Sequence, residues 1–134
     1  MYRNSASFGK RYEYVVIAEL LKREFDIYTP LVDDMGIDCV IRKENKYLEI
    51  QIKARSGDVK NPKYFANMKI SPRDNYFFIF YTESDNNFWV IPSKILIKKG
   101  HINKTGKHKG KVSVYLSEEK FKNFINNFDL LKDA

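Results

Sequence analysis

Asp38, Gln51 and Lys53 fall in one short stretch, GIDCVIRKENKYLEIQIKAR, running from Gly36 to Arg55. Carboxylate and amide oxygens are donors to hard cations, and an ammonium attracts anions. Two β-like runs carry them, and apolar residues at these places would make a firmer sheet. From spacing alone, the wet face of an antiparallel strand also accounts for all three. The elements around them decide between these readings.

IDCVIR (37–42) and KYLEIQIKA (46–54) read as strands, and the three-residue KEN between them predicts an antiparallel hairpin. Side chains alternate along a strand, so Leu48, Ile50 and Ile52 share one face, and Glu49, Gln51 and Lys53 share the other. Upstream, KRYEYVVIAELLKREF (10–25) has Val16, Ile17, Leu20, Leu21 and Phe25 at helical spacing, with Ser5 or Ser7 placed to cap it. DIYTP (26–30) predicts a short strand ended by proline, and DDMG (33–36) a turn, with Asp34 placed to lie near the polar cluster. Residues 55–74 read as loop, with a helical turn at 64–68. YFFIFYT (76–82) is continuously apolar, as in a strand covered on both faces. NFWVIP (87–92) is a further strand, KILIKK after Ser93 a short helix, and VSVYL (112–116) a late strand. A last helix is expected after Ser117, with Phe121, Phe124, Ile125, Phe128 and Leu131 as its buried stripe. The pattern predicts an α/β fold: one domain, residues 1–134, with a mixed central sheet flanked by helices. A sheet covered on both sides leaves three polar groups in need of partners.

The 134 residues carry 24 basic and 17 acidic side chains, a net charge of +7, which favours an anionic partner such as nucleic acid. The start, MYRNSASFGK, lacks the apolar core of a secretory leader, and no apolar run is long enough to cross a bilayer. A single cysteine, Cys39, fits a reducing cytoplasm.

Asp38, a hairpin, and then Gln51-Ile52-Lys53 resemble the PD-(D/E)XK nuclease superfamily, which places Asp on one strand and acid-x-Lys on the next. GKRYEYVVIAELLKREFDIYTP upstream is similar to the helix and strand of Holliday-junction-resolvase-like members. The resemblance covers residues 9–55 and implies a restriction-endonuclease-like αβββαβ core and a Mg²⁺- or Mn²⁺-dependent endodeoxyribonuclease. It implies Asp38 as central metal ligand, aided by Gln51, the Ile52 carbonyl and a helix glutamate, with Lys53 at the scissile phosphate. It also implies DNA as partner, with RNA left open, and a homodimer in the manner of many members. Gln51 stands where the family has an acid. A glutamine here resembles a variant found in homing-endonuclease-like small members. It brings no charge, so Glu49, one pleat away, is a candidate compensating acid.

Two helix glutamates compete. At about 100° per residue, Glu13 lies about 40° from Ile17 and about 20° from Leu20, whereas Glu19 lies about 100° from Leu20. Glu13 is the better placed, although an ion pair with Lys10 or Arg11 is an equally ordinary use for it. Cys39 reads as a small core residue. The stretch 98–111 is crowded with lysines and has no acid. Lys104, Lys107, His108, Lys109 and Lys111, with Arg55, are candidate DNA-backbone contacts, against the plainer reading of a solvated loop. Gly-rich phosphate loops, Cys-x-x-Cys pairs and nucleophile elbows are absent. The alternative function is a catalytically inactive nucleic-acid-binding module of the same fold.

Overall fold

The computed structural model describes residues 5–32 and 35–134, with side chains from residue 9 onward. The expected Ser5 or Ser7 cap and the Asp33–Asp34 turn therefore lie outside the described residues. Helix α1 (Ser5–Lys22) leads into β1 (Asp26–Tyr28), β2 (Cys39–Lys43) and β3 (Lys46–Arg55). Then come β4 (Tyr64–Met68), β5 (Tyr76–Thr82), β6 (Asn87–Pro92), α2 (Ser93–Lys99), β7 (His101–Ile102) and β8 (Val112–Tyr115). A 3-10 helix (Glu119–Phe124) and α3 (Asp129–Lys132) close the chain. Among the described residues, no helix is long and apolar enough to cross a membrane.

The central sheet has the order β1-β2-β3-β5-β6, with β3 and β5 parallel and the other neighbours antiparallel. This is the mixed α/β sheet with flanking helices that the sequence pattern predicts. β5 shows why it is covered on both faces. Phe77, Ile79 and Tyr81 join Val16 and Leu20 of α1, together with Leu48, Ile50 and Ile52, in one core. Tyr76, Phe78 and Phe80 join Trp89, Phe65 and Val114 in a second core. Each fully buried Leu, Ile or Phe contributes about 1.5–3 kcal/mol, so the two cores fix β3 and β5 firmly between layers.

The second core is roofed by a small sheet, β4-β8-β7, and by α2. Here the structure departs from expectation. Residues 64–68 form a strand, not a helical turn, because Phe65 and Met68 are buried against β8 while Tyr64 stacks on Tyr115 at 4.3 Å. The predicted last helix is also broken. Ile125 pairs with Trp89 in an isolated bridge, and Asn126 donates its N–H to Phe88 O at 2.5 Å. Edge pairing with β6 thus competes with helix continuation there. Phe121, Phe128 and Leu131 are buried as expected, whereas Ile125 is exposed.

Ser93 does not cap α2. Its hydroxyl donates to Arg73 O and accepts from Arg73 N, both at 3.1 Å, and so clips the loop before β5 to the start of α2.

Candidate metal and phosphate site

The regular pairing of β2 with β3 ends at Cys39 and Ile50. Asp38 stands just beyond. Its N–H donates to Ile50 O at 2.8 Å, and its Oδ2 accepts the Ile52 N–H at 2.6 Å. A side chain has replaced a ladder carbonyl, which holds the carboxylate against the opening where the two strands part.

Glu13 reaches the same opening from α1. Tyr12, its neighbour, stacks on Tyr81 at 5.1 Å and donates to the Glu83 carboxylate, which anchors this turn of the helix to the sheet. Glu13 lies close enough to Asp38 to act on its carboxyl group. Burial, and then the charge of Glu13, raise the Asp38 pKa to about 6, against the lowering effects of the Ile52 N–H and Lys53. Glu13 also pairs with Lys10 at 3.2 Å, the ion pair that was the plainer of the two uses expected for it. Thr29, Pro30 and Ile37 help to line a groove of about 130 Å³ beside the two acids.

On the other side of the strand tip lies a cleft of about 630 Å³, lined by Gly36, Gln51, Lys53, Lys69, Arg73 and Tyr76 among others. The Lys53 pKa is lowered, chiefly by burial, with Asp38 acting in opposition. The charges of Lys53 and Asp38 thus interact across the tip. Tyr76 Oη lies 2.8 Å from Gln51 Oε1 and 2.7 Å from Gly36 O. A Cβ at Gly36 would come within 2.6 Å of the Gln51 side chain, and the φ of +82° there also favours glycine.

The other candidate acids point elsewhere. Glu49 is held by Arg73, with Nε at 2.7 Å and Nη2 at 2.6 Å from Oε1. Glu19 pairs with Arg23 at 2.9 Å. Arg55 is half-buried: its Nε donates to Tyr64 O at 3.3 Å and its guanidinium lies 4.6 Å over the Phe65 ring, which ties β3 to β4. Cys39 is fully buried, and burial with the charges of Asp38 and Glu13 pushes its thiol up to about 12, so it is no nucleophile.

The basic stretch is more ordered than a solvated loop. β7 and β8 pair as a hairpin, and Asn103 and Lys111, Asn103 and Gly110, and His108 and Lys111 are joined by main-chain hydrogen bonds of 2.8–3.0 Å. Lys104, Lys107 and Lys109 are exposed on it, and Lys111 Nζ lies 3.2 Å from His108 Nδ1. The pairing of Met68 with Val112 puts Lys69, which lines the cleft, next to Lys111.

Among the described residues no three His, Cys, Asp or Glu side chains cluster. The acids that converge are two, with an amide in the neighbouring cleft. Tyr76, Arg73, Lys69 and Gly36 have parts in the site that the sequence reading did not assign. The glycine after DDM was a visible signal. The others come from a loop and strand whose approach depends on the β3–β5 crossover.

No family model and no curated protein matches the chain. Among solved structures, a bacterial homing endonuclease, I-Ssp6803I, aligns with a TM-score of 0.71 over 98% of this chain and 95% of that one, at 20% sequence identity. The chain has a homing-endonuclease-like fold. Near-complete coverage of both chains means that the likeness includes the small sheet and the C-terminal segment as well as the hairpin. The homing-endonuclease-like fold thus spans the region after residue 100, where the sequence offered no resemblance.

Proposed function

We propose that the protein is a divalent-metal-dependent DNA endonuclease with a site of PD-(D/E)XK type. The observation that carries this reading is the meeting of Glu13, Asp38 and Lys53 at the tip of β2 and β3. Two neighbouring carboxyl groups, one of them raised in pKa by burial and by the other, are a natural seat for a cation, whose charge offsets both. All available donors there are hard oxygens, as Mg²⁺ and Mn²⁺ prefer. The residues present therefore fit the metal. Asp38 and Glu13 would hold it, with Gln51 and the Ile52 carbonyl as further oxygen donors. A bound Mg²⁺ or Mn²⁺ supplies Lewis-acid stabilisation of phosphoryl oxygens and makes water a better nucleophile.

Lys53 holds the scissile phosphate and orients the attacking water. Its partial burial weakens competition from bulk solvent and strengthens the contact. The water oxygen bonds to phosphorus, the bond to the 3′ oxygen breaks, and the ends are a 5′-phosphate and a 3′-hydroxyl. Lys69 and Lys111 continue the positive path from the cleft to the exposed lysines of the β7–β8 hairpin, which grip the DNA backbone. One site cuts one strand at a time, so double-strand cleavage calls for two copies.

The test is incubation with linear, circular and branched DNA in Mg²⁺ or Mn²⁺, beside an EDTA control and Lys53→Ala. Cleavage that needs the metal and disappears in Lys53→Ala supports the proposal. Cleavage that survives both EDTA and the substitution refutes it. A second reading, a binding module without catalysis, is favoured by the neutral Gln51 side chain. It predicts salt-sensitive DNA binding with no cleavage even in Mn²⁺.

A further inference from the structure

Around Tyr76 Oη two oxygens stand at hydrogen-bond distance, Gly36 O at 2.7 Å and Gln51 Oε1 at 2.8 Å. A phenol has one proton, and a main-chain carbonyl can only accept. With Oε1 toward the phenol, one of the two contacts brings oxygen against oxygen with no proton between them. Tyr76 is buried, so exchange with solvent does not relieve the clash.

Turning the Gln51 amide by 180° resolves it. The amide oxygen and NH₂ have nearly the same size, so their positions simply exchange. The chain then runs in one sense: Gln51 Nε2–H donates to Tyr76 Oη, and Tyr76 O–H donates to Gly36 O. A Cβ at Gly36 would meet both side chains, so the glycine is what lets the amide and the phenol close on its carbonyl together. We infer that Tyr76 is the positioning residue that fixes the orientation of Gln51, taking its N–H and turning Oε1 out into the cleft lined by Lys53.

The consequence for metal binding rests on the function proposed above. A carboxylate offers two equivalent oxygens, so an acid at position 51 needs no such partner. An amide offers one oxygen, and something must aim it. Tyr76 makes a neutral residue usable where the charged one is missing.

The experiment is a calorimetric Mn²⁺ titration of four proteins: unchanged, Tyr76→Phe, Gln51→Glu, and the double variant. Outer-shell partners of metal ligands typically set affinity by about 10–100-fold, so Tyr76→Phe should lose about 10-fold with Gln at 51. With Glu at 51 the same substitution should cost less than about 2-fold, the difference being the coupling between the sites. General damage from losing the hydroxyl is present in both backgrounds and cancels. No loss with Gln51, or equal losses in both backgrounds, overturns the inference. Absence of Mn²⁺ binding by the unchanged protein instead defeats the metal-site proposal. The orientation is then read without metal, as it is if Tyr76→Phe fails to fold. In the nitrogen-15 spectrum of the unchanged protein, one Gln51 amide proton should be shifted downfield and slow to exchange. Two freely exchanging protons would show that the oxygen faces Tyr76.

Discussion

Two recesses flank the tip of β2 and β3, and they share Ile37 but not their charge. Toward α1, Glu13 and Asp38 line one groove, and the charge of Glu13 helps to raise the Asp38 pKa. Toward the small sheet, Lys53 and Lys69 have no carboxylate within ion-pair distance among the described residues, and Arg73 is taken up by Glu49. The pleat of β3 accounts for part of this sorting. It turns Lys53 and Gln51 away from the α1 core, while Asp38, bent out of the ladder onto the Ile52 N–H, stays beside Glu13. Under the proposed function the two carboxylates take the cation and Lys53 the phosphate, with Gln51 adding its oxygen to the cation from the cleft side.

The largest expected effects separate the two recesses. Asp38→Asn should abolish both Mn²⁺ binding and cleavage. Lys53→Ala should lower cleavage by about 10²–10³-fold or more, the usual scale for a lost transition-state contact, while keeping Mn²⁺ binding. Calorimetry beside a plasmid-nicking assay reads both. If Lys53→Ala loses the cation as well, the division of labour between the two sides is broken.

Next in size is Arg73. Its guanidinium is bound by Glu49 and lies 4.0 Å over the Tyr76 ring, and its main chain is clipped by Ser93. Arg73→Ala should therefore cost about 1–2 kcal/mol of stability, the range for a charge-assisted hydrogen bond discounted for partial exposure. Lys69→Ala, in the same cleft, should change stability by less than about 0.5 kcal/mol and weaken DNA binding instead. Urea unfolding distinguishes them, and equal effects would mean that the cleft is merely a structural seam.

A smaller effect concerns pH. The folded-state Asp38 pKa, about 6, lies above its ordinary value of 3.8. Folding therefore favours the protonated form. The associated stability is complete below about pH 4 and is lost as pH rises through 6. In EDTA, the melting temperature of the unchanged protein relative to Asp38→Asn should fall between pH 4 and 7. Added Mg²⁺ should reverse that fall. A difference that rises with pH would mean that the acidic recess is not strained by its own charge.

Smallest is the effect of the hairpin lysines. Lys104→Ala, Lys107→Ala or Lys109→Ala should each reduce the salt slope of DNA binding by up to about 0.9, without altering cleavage chemistry. An unchanged slope in all three removes the hairpin from the DNA path.

Where a single strand's alternation decides the outcome, the sequence was sufficient. The period-two pattern in KYLEIQIKA separates Leu48, Ile50 and Ile52 from Gln51 and Lys53 without any tertiary information, and the helical angle separates Glu13 from Glu19. The continuous apolar run of β5 signalled cover on both faces. What escaped were features made by partners distant in the chain. β4 looked like loop because only Phe65 and Met68 are apolar anchors, and they need β8 to complete their pairing. The final helix looked continuous because its apolar spacing is helical, but the bridge from Ile125 to Trp89 outweighs it. Glu49 was a fair candidate ligand by parity alone. Only the approach of Arg73, set by Ser93, shows that the acid is occupied.

The most direct trial of the account is anomalous diffraction from crystals soaked in Mn²⁺, at pH 7 and without DNA. A peak should stand between the carboxylates of Glu13 and Asp38, within coordination distance of both and lost in Asp38→Asn crystals. A peak held by other residues, or none at a Mn²⁺ concentration that supports cleavage, would contradict it.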